Sequence, residues 1–252
     1  MLQTRVIPVL LLRKKGLVKT IKFNQSKYIG DPINAVKLFN DKEVDELVFL
    51  DIDASKEGRK PDFEYIKSIA SECFMPLGYG GGITSMDDIN KLFALGVEKV
   101  IINSRALVDL NLVTEASNIY GNQSIVVAVD VQKNLFGKYK IFSHSKIDHN
   151  QGDLLDYLKS AQNAGAGEIF INSVDHDGMM KGYDLNLIEK LSKELTVPMV
   201  ICGGAGELIH LKEAVSKGAS GVAAGSLFIY HGPHNAVLIN YPQYKKLKQL
   251  FK

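Results

Sequence analysis

One stretch of this chain occurs twice. Pro76-Leu-Gly-Tyr-Gly-Gly-Gly82 resembles Pro198-Met-Val-Ile-Cys-Gly-Gly204. Each leads into an amphipathic segment, then Leu95-Gly96 or Lys217-Gly218, then a short apolar run: Lys99-Val-Ile-Ile-Asn-Ser104 and Gly221-Val-Ala-Ala-Gly-Ser226. The offset is 122 residues throughout, close to half of the 252-residue chain. Solenoid repeats are far shorter, so the pattern predicts two similar halves built from the same strand–helix units.

The rest of the chain supplies the remaining units. Strand-like runs fall at Val6–Leu12, Glu46–Asp51, Met75–Tyr79, Lys99–Asn103, Ile125–Asp130, Glu168–Ser173, Pro198–Cys202 and Gly221–Ala224. Most are rich in Val, Ile and Leu without alternation, as in parallel strands covered on both faces. Helix-like segments separate them, the first opened by Asp31 as N-cap and Pro32 at the first helical position. Eight βα units predict a single (β/α)8 TIM barrel over residues 1–252, made of two similar half-barrels. A doubly wound open sheet is the alternative, but no Gly-x-Gly-x-x-Gly turn follows the first strand. Asp130–Ser143, with a turn around Gly137, reads as a β-hairpin insertion near 131–144. Ala236–Pro242 reads as extended and Tyr244–Lys252 as a short basic helix whose lysines form a solvated face.

Composition excludes several classes. No run approaches the length of a membrane span, and Val6–Leu12 reads as a buried strand, not a signal peptide. Two cysteines cannot build a disulfide framework, which favours a reducing cytoplasm. A net charge of +2 gives no electrostatic case for nucleic acid. The six histidines, including His144, His149, His231 and His234, show no metal-ligand spacing, so no metal and no cofactor is expected. Neither Cys73 nor Cys202 sits in a nucleophile pattern.

A barrel of this kind carries its chemistry at the C-terminal ends of its strands. There lie Gly80-Gly81-Gly82, paired with Asn103-Ser104, and Gly203-Gly204, paired with Gly225-Ser226. Glycines admit close backbone approach and following helix turns favour anions, so the duplicated clusters predict a ligand with a phosphate at each end. The competing reading is that these glycines only make tight turns. Asp51, Asp53, Asp130, Asp175 and Asp177 also collect at strand ends. Asp51 and Asp130 are placed to face one another across the mouth for proton transfer, whereas for Asp53 and Asp175 capping a loop or helix is an equal alternative. At the opposite end, Arg5, Glu46, Lys99 and Glu168 stand at the starts of strands 1, 2, 4 and 6. They form either a compensated ring or four solvated charges.

These residues resemble a known family. Arg5–Leu10, Gly16–Lys19, Leu50–Ser55, Gly80–Ile83, Val100–Ser104, Val127–Asp130, Asp175–Gly178 and Gly203–Gly206 are similar to the synthase (cyclase) subunit of imidazole glycerol phosphate synthase. The resemblance covers nearly the whole chain. It implies a duplicated barrel with a glutaminase partner docked at its bottom, and ammonia carried through the barrel to a bisphosphorylated substrate at its top. It implies that Arg5, Glu46, Lys99 and Glu168 gate the ammonia. It makes Asp130 a catalytic residue and Lys19 a lysine of a mobile first loop. Asp51 and Asp177 become further carboxylates at the mouth, and Gly81, Gly82, Asn103, Ser104, Gly203, Gly204, Gly225 and Ser226 the phosphate sites.

One departure stands out. The family's second catalytic aspartate, at the end of strand 1, falls on Leu11, in Leu11-Leu-Arg-Lys-Lys-Gly16. Leucine transfers no proton, and a general acid–base residue contributes ~10²–10⁴-fold. The chain therefore reads as a paralogue that retains ammonia delivery and has lost cyclisation. Ala236–Pro242 resembles cyclase-like subunits associated with bacterial surface-sugar amidation, which implies a sugar amidotransferase as a further partner. The competing expectations are a working cyclase with Asp51 standing in, a non-catalytic glutaminase scaffold, and a phosphosugar isomerase.

Overall fold

The computed structural model describes residues 4–143 and 152–252. His144 and His149, and the far end of the expected 131–144 insertion, lie outside the described residues. Numbering the barrel strands alone, these are β1 (Arg5–Arg13), β2 (Leu47–Asp51), β3 (Leu77–Gly80), β4 (Lys99–Ile102), β5 (Ile125–Lys133), β6 (Glu168–Ser173), β7 (Met199–Cys202) and β8 (Gly221–Ala224). Each pairs in parallel with the next, and β8 returns to β1 through Arg5↔Gly221 to Pro8↔Ala224. The sheet is closed, with helices between the strands, as in a (β/α)8 barrel. β3 and β7 start at Leu77 and Met199, later than the apolar runs suggest, because Pro76 and Pro198 have no N–H for the ladder.

Strand periodicity divides the apolar residues into two cores. Ile7, Val9, Val48, Ile101, Val126, Ala128, Phe170, Val200, Cys202 and Ala223 pack together inside the barrel, with Leu11 and Leu50 against them. Their chain neighbours, such as Val6, Leu10, Phe49, Val127, Ile171 and Val222, pack outward beneath the helices. Burial on both faces is why the strands read as unbroken apolar runs. Helix starts are set locally. Asp31 accepts from the Asn34 N–H at 2.9 Å, and Ser85 and Asp88 form a reciprocal capping box.

Two hairpins rise from the top. Tyr139–Phe142 pairs antiparallel with Asp130–Lys133. A second hairpin, absent from the sequence reading, joins Gly16–Thr20 to Ser26–Gly30 and extends β1 through Leu11↔Val18. Below the barrel Tyr241 is buried, and its O–H donates to the Val6 carbonyl at 2.9 Å, which ties the C-terminal segment to β1. Tyr244–Leu250 is helical. Among the described residues no helix is long and apolar enough to cross a membrane.

Candidate functional site at the two ends of the barrel

At the bottom the four charged residues meet. The Arg5 guanidinium donates to Glu46 and to Glu168. Lys99 Nζ lies 2.9 Å from Glu46 Oε2 and 3.4 Å from Glu168 Oε2. Two cations thus alternate with two carboxylates around the bore. Glu46 and Glu168 are 3% and 6% exposed, so the charges are not four solvated side chains. Burial works against the charge on Arg5, but Glu168 and Glu46 outweigh it and hold its pKa above the ordinary value. The arrangement follows from chain register. Arg5 shares its face of β1 with Ile7 and Val9, and Glu168 its face of β6 with Phe170, all bore-facing positions.

At the top one cavity is lined by Leu11, Lys19, Asp51, Gly81, Gly82, Asn103, Ser104, Asp130, Asp177, Gly203, Gly204, Gly225 and Ser226. Asp130 lines this cavity from β5. Asn103 Nδ2 donates to it at 2.8 Å, and Asn172 supplies a second amide. Burial pushes the Asp130 pKa up to about 7, against the pull of both amides. An acid–base group is thus held near neutrality. Asn172 is missing from the sequence reading, although period two along Glu168, Phe170 and Asn172 places it on the bore face. Its Oδ1 is buried and has no hydrogen-bond partner among the described residues.

The other carboxylates do different work. Asp51 Oδ1 accepts from the N–H groups of Asp53 and Ala54 at 3.2 and 3.1 Å, and Arg59 lies 3.3 Å from Oδ2. It pins its own loop and faces an arginine, while lining the same cavity as Asp130. Asp53 pairs with Arg13 at 2.7 Å, and Asp175 accepts from the Lys133 N–H at 2.8 Å. Asp177 is a clasp. Its carboxylate accepts from the Thr20 hydroxyl at 2.7 Å and the Phe23 N–H at 3.2 Å, and its carbonyl accepts from the Lys22 N–H at 3.0 Å. Burial raises its pKa although these bonds oppose the shift.

The clasp holds the first hairpin over the mouth, and Lys19 points inward from it. Lys19 is 7% exposed, and its Nζ donates to the Val9 carbonyl at 2.8 Å. Desolvation lowers its pKa to about 8, offset in part by Asp177 and Cys202. The first loop is therefore seen folded down, with its lysine sequestered. Gly225 makes the room, because a Cβ there would overlap Nζ. Sequence spacing could not show this use of Gly225.

The glycine turns have demands of their own. Gly81 has φ 120°, and a Cβ there would lie 2.5 Å from the Asp51 carbonyl; Gly203 has φ 95°, and a Cβ there would lie 2.7 Å from the Ser173 carbonyl. The tight-turn reading suffices to require both, and both also line the cavity. Cys202 is buried in the bore with its thiol pushed up to about 12, so it is no nucleophile. Among the described residues no group of three or more His, Cys, Asp or Glu is placed to hold a metal ion.

The profile of the histidine biosynthesis protein family matches residues 5–235. The chain is 48% identical to a Pseudomonas aeruginosa protein provisionally named imidazole glycerol phosphate synthase subunit hisF2, over 98% of this chain and 99% of the relative. It is 48% identical to a Leptospira interrogans protein provisionally named subunit HisF, over the full length of both. A Vibrio vulnificus protein provisionally named subunit hisF3 is also 48% identical, over 99% of this chain and 96% of its own. The chain belongs to the histidine biosynthesis protein family, as a HisF-like relative of the imidazole glycerol phosphate synthase subunits.

Proposed function

We propose that this protein is the ammonia-conducting subunit of a glutamine-dependent amidotransferase, and that the ammonia serves sugar amidation in surface-glycan biosynthesis in the cytoplasm. One observation carries the reading. The charged ring at the bottom is complete, while the strand-1 position at the mouth is Leu11. A glutaminase subunit docks below the ring, and ammonia enters past Arg5, Glu46, Lys99 and Glu168. The names of the relatives, as subunits of a synthase, support a multi-subunit assembly. Phe74, in the loop entering β3 at the bottom, is 85% exposed and suits such a contact. The bore above the ring is apolar through Ile7, Val126, Phe170 and Val200, which favours neutral ammonia over ammonium. A phosphorylated ligand occupies the mouth at Gly81, Gly82, Asn103 and Ser104, and at Gly203, Gly204, Gly225 and Ser226. No nucleic acid, membrane, metal or cofactor enters this scheme.

The test is Lys99→Ala in a reconstituted system of this chain, a glutaminase and a sugar amidotransferase with its N-acetylated sugar acceptor. Glutamine-driven amidation falls while ammonium-driven amidation is unchanged. Equal coupling in variant and parent rejects the channel.

A second reading, cyclisation to imidazole glycerol phosphate, is favoured by Asp130 alone, which is poised near neutrality as an acid–base group. Asp51, the residue proposed to replace the missing aspartate, is held by Ala54, Asp53 and Arg59 and is a poor substitute. Growth of a cyclase-deficient histidine auxotroph on this gene would favour the second reading over the first.

A further inference from the structure

The upper end of the bore holds an amine in a recess made for one. Lys19 Nζ is fixed by a single hydrogen bond, to the Val9 carbonyl, and no carboxylate lies within ion-pair distance of it among the described residues. Val9 belongs to the barrel interior, and Gly225 follows Ala223 by two residues on the same inward face of the chain. The missing side chain at 225 is the space that the amine nitrogen fills. Gly225 has φ −107°, an ordinary value, so the backbone does not require glycine there. Volume does. Cys202 lines the same cavity, and Asp177, whose clasp fixes the hairpin, is the carboxylate whose field reaches the nitrogen. An unpaired amine held in an apolar bore faces the same constraint as ammonia in transit, since both are costly to bury as cations.

We propose that the recess between the Val9 carbonyl and Gly225 is a binding site for ammonia or a small primary amine, the last station of the bore, which the Lys19 amine fills while the hairpin is clasped. Its place on an ammonia path rests on the function proposed above, but amine binding itself is tested separately. Occupation by Lys19 keeps the station closed to a second nitrogen. Release of the Thr20–Asp177 clasp withdraws Lys19 and frees the Val9 carbonyl to accept an N–H from the incoming molecule. No covalent step is involved.

The test uses the full chain and simple salts. Lys19→Ala empties the recess. Its thermal midpoint then rises saturably in ammonium chloride and in methylammonium chloride, and does not rise in sodium chloride or tetramethylammonium chloride of equal strength. The double variant K19A/G225A, with the recess refilled by a methyl group, shows no ammonium-specific rise. Equal rises in all four salts, or a rise that persists in the double variant, overturn the proposal. A second measurement needs no vacant recess. In the wild-type protein acetic anhydride modifies Lys19 at least about tenfold more slowly than the exposed Lys138, and Gly225→Ala removes that protection. Equal reactivity of Lys19 and Lys138 in the wild type also overturns it. If Lys99→Ala uncouples amidation while the salts show no specificity, the path stands and the recess is rejected. If ammonium binds specifically while coupling is insensitive to Lys99, the recess stands and the path is rejected.

Discussion

The two ends of the bore are built in opposite ways. At the bottom every charge finds its opposite, with Arg5 and Lys99 each shared between Glu46 and Glu168. At the top the carboxylates are held in different ways. Asp130 has two amide donors, but Leu11 faces the cavity from β1, and Asp51 and Asp177 are spent on loops. A buried charge ring is expensive to desolvate and is a weak source of stability, which is why the proposed function assigns it to ammonia entry. The mouth has glycine turns and one carboxyl poised near neutrality, with Leu11 where the proposed function places no acid–base group. Under the proposed function, delivery and chemistry sit at opposite ends of the strands and can be tested separately.

The largest effect expected from this contrast is at Leu11. Leu11→Asp should raise ammonium-driven turnover of the histidine-pathway ribonucleotide by ~10²–10⁴-fold over the parent, the usual contribution of an acid–base residue. A Leu11→Asp protein that is folded yet no faster would show that the mouth has changed in more than one place.

The bottom ring sets the next prediction. Arg5→Ala leaves Glu46 and Glu168, both buried, with Lys99 alone. Urea unfolding should show a loss of ~3 kcal/mol, the scale for breaking a buried pair, and a loss under about 0.5 kcal/mol would mean the ring is a surface feature.

Asp130 separates the ends by pH. Its pKa is raised to about 7 in the fold, so the unfolded chain gives up its proton first. The stability cost of the buried carboxylate is absent below the unfolded pKa near 4 and grows as pH rises to about 7. Asp130→Asn should therefore stabilise the protein by ~2–4 kcal/mol more at pH 8 than at pH 4, read from urea midpoints. The same gain at both pH values would refute the shifted carboxyl. The smallest effect is at the clasp. Thr20→Val removes the 2.7 Å bond to Asp177 and should cost ~1–2 kcal/mol, with faster amide exchange in Gly16–Gly30 and none at the bottom ring.

The fold was open to reading because both faces of each strand are buried. That makes runs such as Ile125–Val129 conspicuous and leaves the 122-residue repeat intact around them. The first hairpin was hidden because Ser26–Gly30 is largely exposed and carries no apolar alternation, so it exists through its pairing with Gly16–Thr20. Residue identities placed Asp130, the glycine turns and the four charged starts of strands at the right ends of the barrel. They did not show where each hydrogen bond went. Asp51 anchoring its own loop, Asp177 clasping Thr20 and Lys19 turning into the space at Gly225 are tertiary choices among chemically equivalent options. Asn172 was within reach of period two on β6, but an amide there carries no signal of its own until Asp130 is seen beside it.

The central claim is that delivery is intact and cyclisation is lost. Its most direct test is the purified wild-type chain with saturating ammonium in place of a glutaminase, assayed for conversion of the histidine-pathway ribonucleotide to imidazole glycerol phosphate beside a genuine cyclase. The account predicts no turnover above background from folded protein. Turnover close to that of the genuine enzyme would contradict it, and would mean that the mouth carries out cyclisation without an aspartate at position 11.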